Sequence, residues 1–159
     1  MENRAFTLIE LMIVVSIIAF LAVLAVPQLM RYKAKAYQAE VAMNLASLHT
    51  AEQAFFAQHG YYTAELTGPN GLGWRPAGAS DGQEAGFYYT YGFNVPGAQE
   101  GIHYFTGKLS APKDALGGTN ASKEGFVASA AADVTGKNRV DVWQIDENRK
   151  LTNTVNGID

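Results

Sequence analysis

Glu10 is an acidic side chain that immediately precedes a long apolar segment. The next 20 residues, 11–30, contain no charged side chain. A carboxylate inside a membrane costs on the order of 3 kcal/mol at the bilayer centre and somewhat less near the interface. Glu10 could avoid this cost by extending to the lipid headgroups. We instead expect it to have a function that requires a negative charge in apolar surroundings, because such charges seldom lack a role.

The other residues that could do chemistry are scattered. His49, His59 and His103 show no metal-ligand spacing, so we expect ordinary core or surface histidines. There is no cysteine, which excludes a disulfide framework and a thiolate metal site. The sequence also lacks a glycine-rich phosphate loop, a nucleophile elbow and a zinc signature. It therefore predicts no metal, no cofactor and no enzymatic activity.

A second acidic group lies near the C-terminus. Asp133, Asn138 and Asp141 flank a turn and could supply oxygen ligands to calcium. The tight alternation of oxygen ligands that calcium loops show is absent, so we favour a plain hairpin. Asn120-Ala121-Ser122 is a formal glycosylation sequon, which carries little weight in a single sequence.

The apolar segment is long enough to cross a membrane. A helix of 20 residues spans about 30 Å, the thickness of the hydrocarbon core. One interpretation is a secretory signal peptide cut after Val23-Leu24-Ala25, but Glu10 disfavours it. Another is a plain anchor. The positive-inside rule would then place the C-terminal side in the cytoplasm, because Arg31, Lys33 and Lys35 follow the span and only Arg4 precedes it.

We favour a third interpretation, which rests on the specific residues around Glu10. The segment Ala5-Phe6-Thr7-Leu8-Ile9-Glu10-Leu11-Met12-Ile13-Val14-Val15, with Pro27 further on, resembles the N-terminus of type IV pilins. The helix that follows, to about Tyr62, is also similar to pilins, and the C-terminal stretch 141–159 is similar less specifically. The resemblance implies a leader of residues 1–5, cleavage between Ala5 and Phe6, and N-methylation of Phe6. The family usually has glycine before the cut, so Ala5 implies slower processing.

The resemblance also assigns roles in subunit assembly to Phe6, Glu10 and Pro27. In the family, the glutamate meets the amino terminus of a neighbouring subunit, so the two charges neutralise each other among apolar helices. Proline inside a helix removes a backbone donor and clashes with the preceding turn. We expect a kink or local melting at Pro27 that helps helices pack around a fibre axis. A proline tolerated at a membrane boundary is the alternative on physical grounds alone.

The remaining chain, 31–159, predicts a globular head. Residues 31–59 have a helical period, with an apolar stripe of Tyr37, Val41, Leu45, Leu48, Ala51 and Phe55. We place Lys33, Lys35, Gln38, Glu40, Asn44, Glu52 and Gln58 on the opposite, polar face. Gly60 should end the helix. Residues 60–86 are rich in glycine and should form an irregular loop that Leu72 and Trp74 hold against the core.

Five runs then predict strands: 87–95, 102–106, 125–132, 140–145 and 151–155. Hairpin turns should lie at 135–138 and 147–149, and 107–124 should be a loop. We therefore predict an α+β fold with one long N-terminal helix, a membrane-spanning half (6–30) followed by an amphipathic half, packed on a C-terminal antiparallel sheet (87–155).

The resemblance implies a structural subunit of a type IV pilus, a surface fibre for adhesion and twitching motility. The implied partners are identical subunits, the prepilin peptidase, an inner-membrane assembly platform with its ATPases, and the membrane before assembly. The precursor would reside in the inner membrane and the mature chain in the extracellular fibre. Residues 31–159 carry 11 basic and 13 acidic side chains, so nucleic acid is not expected as a bulk partner.

Two alternative functions remain open at this stage. A type II secretion pseudopilin or a minor pilin would share the N-terminal segment. The major pseudopilins have an Asp-Pro-Trp-Gly-type loop that this sequence lacks, and minor subunits often lack the glutamate that is present here as Glu10. A non-polymerising, membrane-anchored sensor or binding domain would keep its first five residues and form no fibre.

Overall fold

The computed structural model describes residues 6–79 and 86–158. The predicted leader, including Ala5, lies outside these residues. The chain divides into two compact units, Met1–Lys33 and Ala34–Asp159. A single helix, α1 (Leu8–His59), contributes its first part to one unit and its second part to the other.

The first part of α1 is apolar on all sides. Its leucine, isoleucine, valine, methionine and phenylalanine side chains are all exposed, from Leu8 at 76% to Met30 at 61%. An all-apolar helix surface requires lipid or other protein around it. Within the described residues, α1 is long and apolar enough to cross a membrane, judged by length and composition. The helix continues through Pro27, so of the kink or local melting that we expected there, the melting is not present and the kink stays a prediction.

The second part of α1 is amphipathic. Val41, Leu45, Leu48 and Phe55 are buried at helical spacing, as the period predicts. The helix stops at His59 because Gly60 adopts a positive φ of 76°, which glycine accepts without a Cβ clash. The amide N–H of Gly60 donates to the carbonyl of Phe56 at 2.8 Å and satisfies one of the last free carbonyls of the helix.

The remaining elements form an antiparallel sheet. Its order is β2 (Tyr104–Phe105), β1 (Thr90–Gly92), β4 (Phe126–Ala132), β5 (Asp141–Asp146) and β6 (Leu151–Val155), and β3 (Asn120–Ala121) also pairs with β4. In the pairing of β1 with β4, Thr90 lies opposite Ala131. In the pairing of β5 with β6, Ile145 lies opposite Leu151. The predicted α+β class with an antiparallel sheet is confirmed.

Some elements differ from the expected ones. The run 87–95 forms only the three-residue strand β1. The strand ends at Gly92, where φ is 134° and the backbone of His103 leaves no room for a Cβ. The expected loop 107–124 contains the short strand β3 and a 3-10 helix, Lys113–Leu116. Both elements are too short to carry a periodic signal.

The core lies mainly between α1 and the sheet. Tyr89, Tyr91, Phe93 and Phe126 are almost completely buried. The central strand β4 is rich in alanine, and Ala128, Ala130 and Ala132 belong to this main core. The opposite face of β4 is also covered, since Ala131 packs in a second cluster with Ala111, Leu116 and Val142. Because the side chains of β4 are small, other core residues can pack closely on both faces of this strand.

Candidate functional site

The start of α1 places Glu10 in a capping box with Thr7. Oε2 of Glu10 accepts hydrogen bonds from the backbone N–H of Thr7 at 2.9 Å and from its hydroxyl at 2.7 Å. In return, the N–H of Glu10 donates to Oγ1 of Thr7 at 3.3 Å. Such reciprocal bonds satisfy donors that a helix N-terminus otherwise leaves free. Thr7 was not among the predicted site residues, although its three-residue spacing from Glu10 before an apolar run is a recognised sequence signal.

The capping box directs the carboxylate of Glu10 toward the first turn. Negative charge is favourable there, because the unsatisfied N–H groups give a helix N-terminus a partial positive charge. Phe6 immediately precedes the cap, and its side chain is 81% exposed. The structure therefore brings Phe6, Thr7 and Glu10 together at one end of the helix.

Pro27 does not join this group. It lies 17 residues beyond Glu10, which corresponds to about 25 Å along a helix. Between the two, the hydroxyl of Ser16 donates to the carbonyl of Met12 at 2.7 Å. That bond satisfies the polar group of Ser16 within the helix itself, so the segment presents an apolar exterior.

Asp141 accepts hydrogen bonds from several distant parts of the second unit. It is fully buried. Its oxygens accept hydrogen bonds from five donors on α1, the sheet and the C-terminal segment: Gln38 Nε2 (3.2 Å), Tyr89 Oη (2.7 Å), Trp143 Nε1 (2.7 Å), Asn153 Nδ2 (3.0 Å) and the N–H of Gly157 (3.0 Å). Burial alone would raise the pKa of Asp141, but the bonds from Tyr89, Gly157, Asn153 and Trp143 bring it below the usual value. Asp141 therefore acts as an anionic anchor for the C-terminal part of the chain.

Asp133 has a similar local role in the turn between β4 and β5. Its carboxylate accepts backbone N–H groups of Thr135, Lys137 and Asn138 at 2.7–3.3 Å. Burial opposes ionisation, yet these bonds lower the pKa of Asp133. The oxygens that a calcium ion would need thus already face N–H donors. Within residues 6–79 and 86–158, no group of three or more acidic, histidine or cysteine side chains converges on a possible metal site.

We predicted Glu52 and Asn44 on the polar face of α1, and the structure shows that this prediction is wrong. Glu52 is 0% exposed and Asn44 is 2% exposed. Burial raises the pKa of Glu52 to about 8, although a hydrogen bond from the N–H of Thr63 to Oε2 (3.3 Å) partly opposes this shift. Among the described residues, Oε1 of Glu52 and Nδ2 of Asn44 are buried without a partner. Asn44 Oδ1 accepts the N–H of Ala77 at 2.9 Å, so it holds the loop after α1.

The loop after α1 is held against the core as expected. Trp74 is 7% exposed, and its indole N–H donates to the hydroxyl of Ser47 at 2.8 Å. Leu72 is half-buried and packs against the same core.

The three histidines make separate local contacts. His49 lies 3.1 Å from the carbonyl of Glu147 in the β5–β6 turn, and Gln53 donates to the same carbonyl at 3.0 Å. His59 contacts the carbonyl of Phe55, and Nδ1 of His103 accepts the N–H of Gln99. Each ring therefore stabilises a turn or a helix end.

A long apolar helix with an acidic N-terminal cap, followed by an antiparallel sheet, defines a pilin-like α+β protein. Comparison with known proteins supports the same class. Residues 1–26 match the family model described as the prokaryotic N-terminal methylation motif. A segment of 62 residues is 48% identical to the type IV major pilin protein PilA of Myxococcus xanthus (strain DK1622). Both findings support the likeness of this chain to type IV pilins.

The extent of the likeness is limited. The matching segment covers 39% of this chain and 28% of the Myxococcus protein, so the chain spans little more than a quarter of that relative's length. The methylation motif likewise ends at residue 26.

Proposed function

We propose that this chain is the precursor of a major type IV pilin, a structural subunit that polymerises through its N-terminal helix into a surface fibre. The observation that carries the proposal is the carboxylate of Glu10 in a capping box at the start of α1, whose first part is apolar and exposed. A charge in this position is costly in lipid unless another charge neutralises it. A neighbouring subunit supplies the required partner if its own N-terminus is free and positive.

The processing steps create that partner. A membrane peptidase cleaves between Ala5 and Phe6, and Phe6 is then N-methylated but keeps its positive amino group. Glu10 of one subunit pairs with this group on the next and fixes the axial register of the helices. Removing one member of a buried ion pair costs about 3–5 kcal/mol, because the other is left unpaired. A mispositioned subunit therefore loses most of the pairing energy.

The same apolar helix serves two environments in turn. Residues 6–30 span the inner membrane while the precursor is stored, and they pack against other subunits in the fibre. Residues 31–159 form the head on the outer side, and residues 1–5 are the leader. The direct partners are identical subunits, the prepilin peptidase and an assembly platform driven by ATPases. The resulting fibre serves adhesion and twitching motility, and the subunit itself is structural and performs no catalysis.

Intact-mass analysis of the protein from its native cells tests the proposal. We expect a mass that lacks the first five residues and gains one methyl group, in protein recovered from sheared surface fibres. A chain that keeps residues 1–5 and stays in the membrane fraction would establish a plain anchor. A processed chain that is scarce in the fibres would instead indicate a pseudopilin or a minor pilin.

A further inference from the structure

The last two turns of α1 and the loop that follows enclose a cavity of about 310 Å³. Phe55, Gln58, His59 and Tyr61 line one side, and residues 69–72 line the other. Pockets that bind small molecules usually measure about 300–1,000 Å³ and combine ring faces with a few polar groups. This cavity is at the small end of that range and has that kind of lining.

The aromatic side of the cavity is formed before any ligand binds. The ring of His59 stacks on Phe55 with centroids 4.1 Å apart and an interplanar angle of 20°. Tyr61 meets Phe55 edge-on at 5.4 Å and 82°. These contacts restrict the side-chain rotamers. Binding of a ligand that stacks here therefore costs little side-chain entropy.

Polar groups surround these rings in defined orientations. Nδ1 of His59 is 3.1 Å from the carbonyl of Phe55, and because a carbonyl can only accept, Nδ1 carries the proton. Nε2 of the neutral ring is then an acceptor. The Gln58 Nε2 donates to the carbonyl of Ala54 at 3.3 Å. Its Oε1 is thereby a second oriented acceptor, and the exposed amide of Asn70 supplies both a donor and an acceptor.

The loop side of the cavity is equally well defined. The N–H of Leu72 donates to the carbonyl of Glu65 at 2.9 Å, and the N–H of Trp74 donates to that of Leu66 at 2.8 Å. Gly71 directly precedes Leu72 and cannot carry a side chain without a shift of the backbone, because a Cβ there would lie 2.5 Å from the carbonyl oxygen of Thr67 and 2.8 Å from that of Glu65. These bonds fold the loop back on itself and give residues 69–72 a defined backbone conformation.

We propose that this cavity binds a neutral saccharide unit. Its lining contains no Asp, Glu, Lys or Arg, so it offers no carboxylate, ammonium or guanidinium group to pair with a charged ligand. A sugar ring has an apolar C–H face that can lie on an aromatic ring and hydroxyl groups that bond to amides and to an imidazole acceptor. A nucleotide would need basic groups for its phosphates, which this lining lacks. The proposal does not depend on polymerisation.

Nuclear magnetic resonance of the full chain in micelles tests this proposal. The detergent must have no sugar headgroup, because a glycoside detergent would compete. Trisaccharides of glucose and of N-acetylglucosamine serve as neutral probes, and the glucosamine trisaccharide serves as the cationic one. We expect saturable shifts of the side-chain amides of Gln58 and Asn70 and of the backbone N–H of Gly71, with a Kd of about 1–10 mM, the weak range for a small cavity.

Variants localise the effect. Tyr61→Ala and Asn70→Ala should each weaken binding at least about tenfold, equivalent to about 1.4 kcal/mol. Tyr32→Ala removes another exposed tyrosine, one outside this cavity, and should leave binding unchanged. The proposal is wrong if none of the neutral probes shifts these amides. It is also wrong if the cationic probe binds equally well, or if the Tyr61 and Asn70 variants, shown to be folded by their spectra, retain full binding.

Discussion

The hydroxyl of Tyr89 donates a 2.7 Å hydrogen bond to Oδ2 of Asp141, and both residues are completely buried. Burial, together with this bond to a carboxylate, raises the pKa of the Tyr89 hydroxyl and keeps it protonated as a donor. Five donors converge on Asp141 from α1, the sheet and the C-terminal segment. The pair therefore links the first and last parts of the head through one anion.

Replacing Tyr89 with phenylalanine should measure the contribution of this bond. The ring stays in the core, but a buried carboxylate loses one donor. Because hydrogen bonds to charged groups contribute about 1.5–3 kcal/mol, we expect the free energy of unfolding to fall by that amount. Urea unfolding followed by tryptophan fluorescence is a suitable measurement, since the two tryptophans, Trp74 and Trp143, both lie in the head.

The control for this experiment is Tyr61→Phe. Tyr61 is 37% exposed, so water can reach its side chain. We expect a change within about 0.5 kcal/mol, as for most surface substitutions. Equal losses in the two variants would contradict the central role of Asp141.

The pH dependence of stability should reveal Asp141 as well. Its pKa is lowered in the folded state, so the folded state favours the carboxylate more than the unfolded state does. The resulting stabilisation is fully present above the unfolded pKa of 3.8 and is lost as pH falls through the folded value. Asp141→Asn should therefore be less stable than wild type at pH 6, and the difference should shrink below pH 4. A constant difference across this range would show that the charge is not what matters.

Glu52 should have the opposite effect at higher pH. Its folded pKa of about 8 exceeds the usual 4.5, so the folded state favours the protonated form. The free energy of unfolding is therefore undiminished below pH 4.5, where Glu52 is protonated in both states. It falls as pH rises through about 8. Between these values the slope approaches about 1.4 kcal/mol per pH unit. Glu52→Gln cannot ionise, and we expect it to be more stable than wild type at pH 8 and about equal at pH 4.

A matched control for Glu52 is Glu124→Gln, because Glu124 is exposed in the loop before β4. This variant and the wild type should show the same difference in the free energy of unfolding between pH 4 and pH 8. The measurement is again the free energy of unfolding, taken at several pH values. A wild-type chain whose stability does not fall between pH 5 and pH 8 would overturn the interpretation.

Glu52 also shows where reasoning from sequence reached its limit. It lies four residues after Leu48 and three before Phe55, so helical spacing alone places it on the buried stripe. We assigned it to the outer face because of its polarity. The period therefore indicated the burial of Glu52, whereas its contact with Thr63, beyond the end of the helix, could not be predicted from the period.

The long elements were predictable, and the contacts between distant residues were not. The first part of α1 was predictable from its unbroken apolar run, its second part from its period with a stop at Gly60, and β6 from its β-branched residues and the turn before it. The five donors around Asp141 come from residues up to 103 positions away, and local pattern carries no information about them. The capping box of Thr7 and Glu10 is different, because its three-residue spacing was readable in the sequence and was overlooked.

The capping box permits a test that separates two roles of Glu10. Glutamine can replace glutamate at the third position of a capping box, so Glu10→Gln keeps the cap and removes the charge. Thr7→Val does the reverse, since it removes the hydroxyl that bonds Glu10 and retains the carboxylate. If pairing with a neighbour's amino terminus drives assembly, Glu10→Gln should produce few fibres, as should Glu10→Ala. Loss of the cap costs only about 1 kcal/mol of helix stability, so Thr7→Val should assemble nearly as well as wild type.

Electron microscopy of sheared surface material, with immunoblots of the membrane fraction, measures both outcomes. All three variants should insert and lose their first five residues, because the substitutions leave Ala5 and Phe6 unchanged. Abundant fibres from Glu10→Gln together with few from Thr7→Val would assign the function of Glu10 to the cap. The charge-pairing mechanism would then be wrong, since an uncharged amide cannot neutralise the N-terminus of a neighbouring subunit.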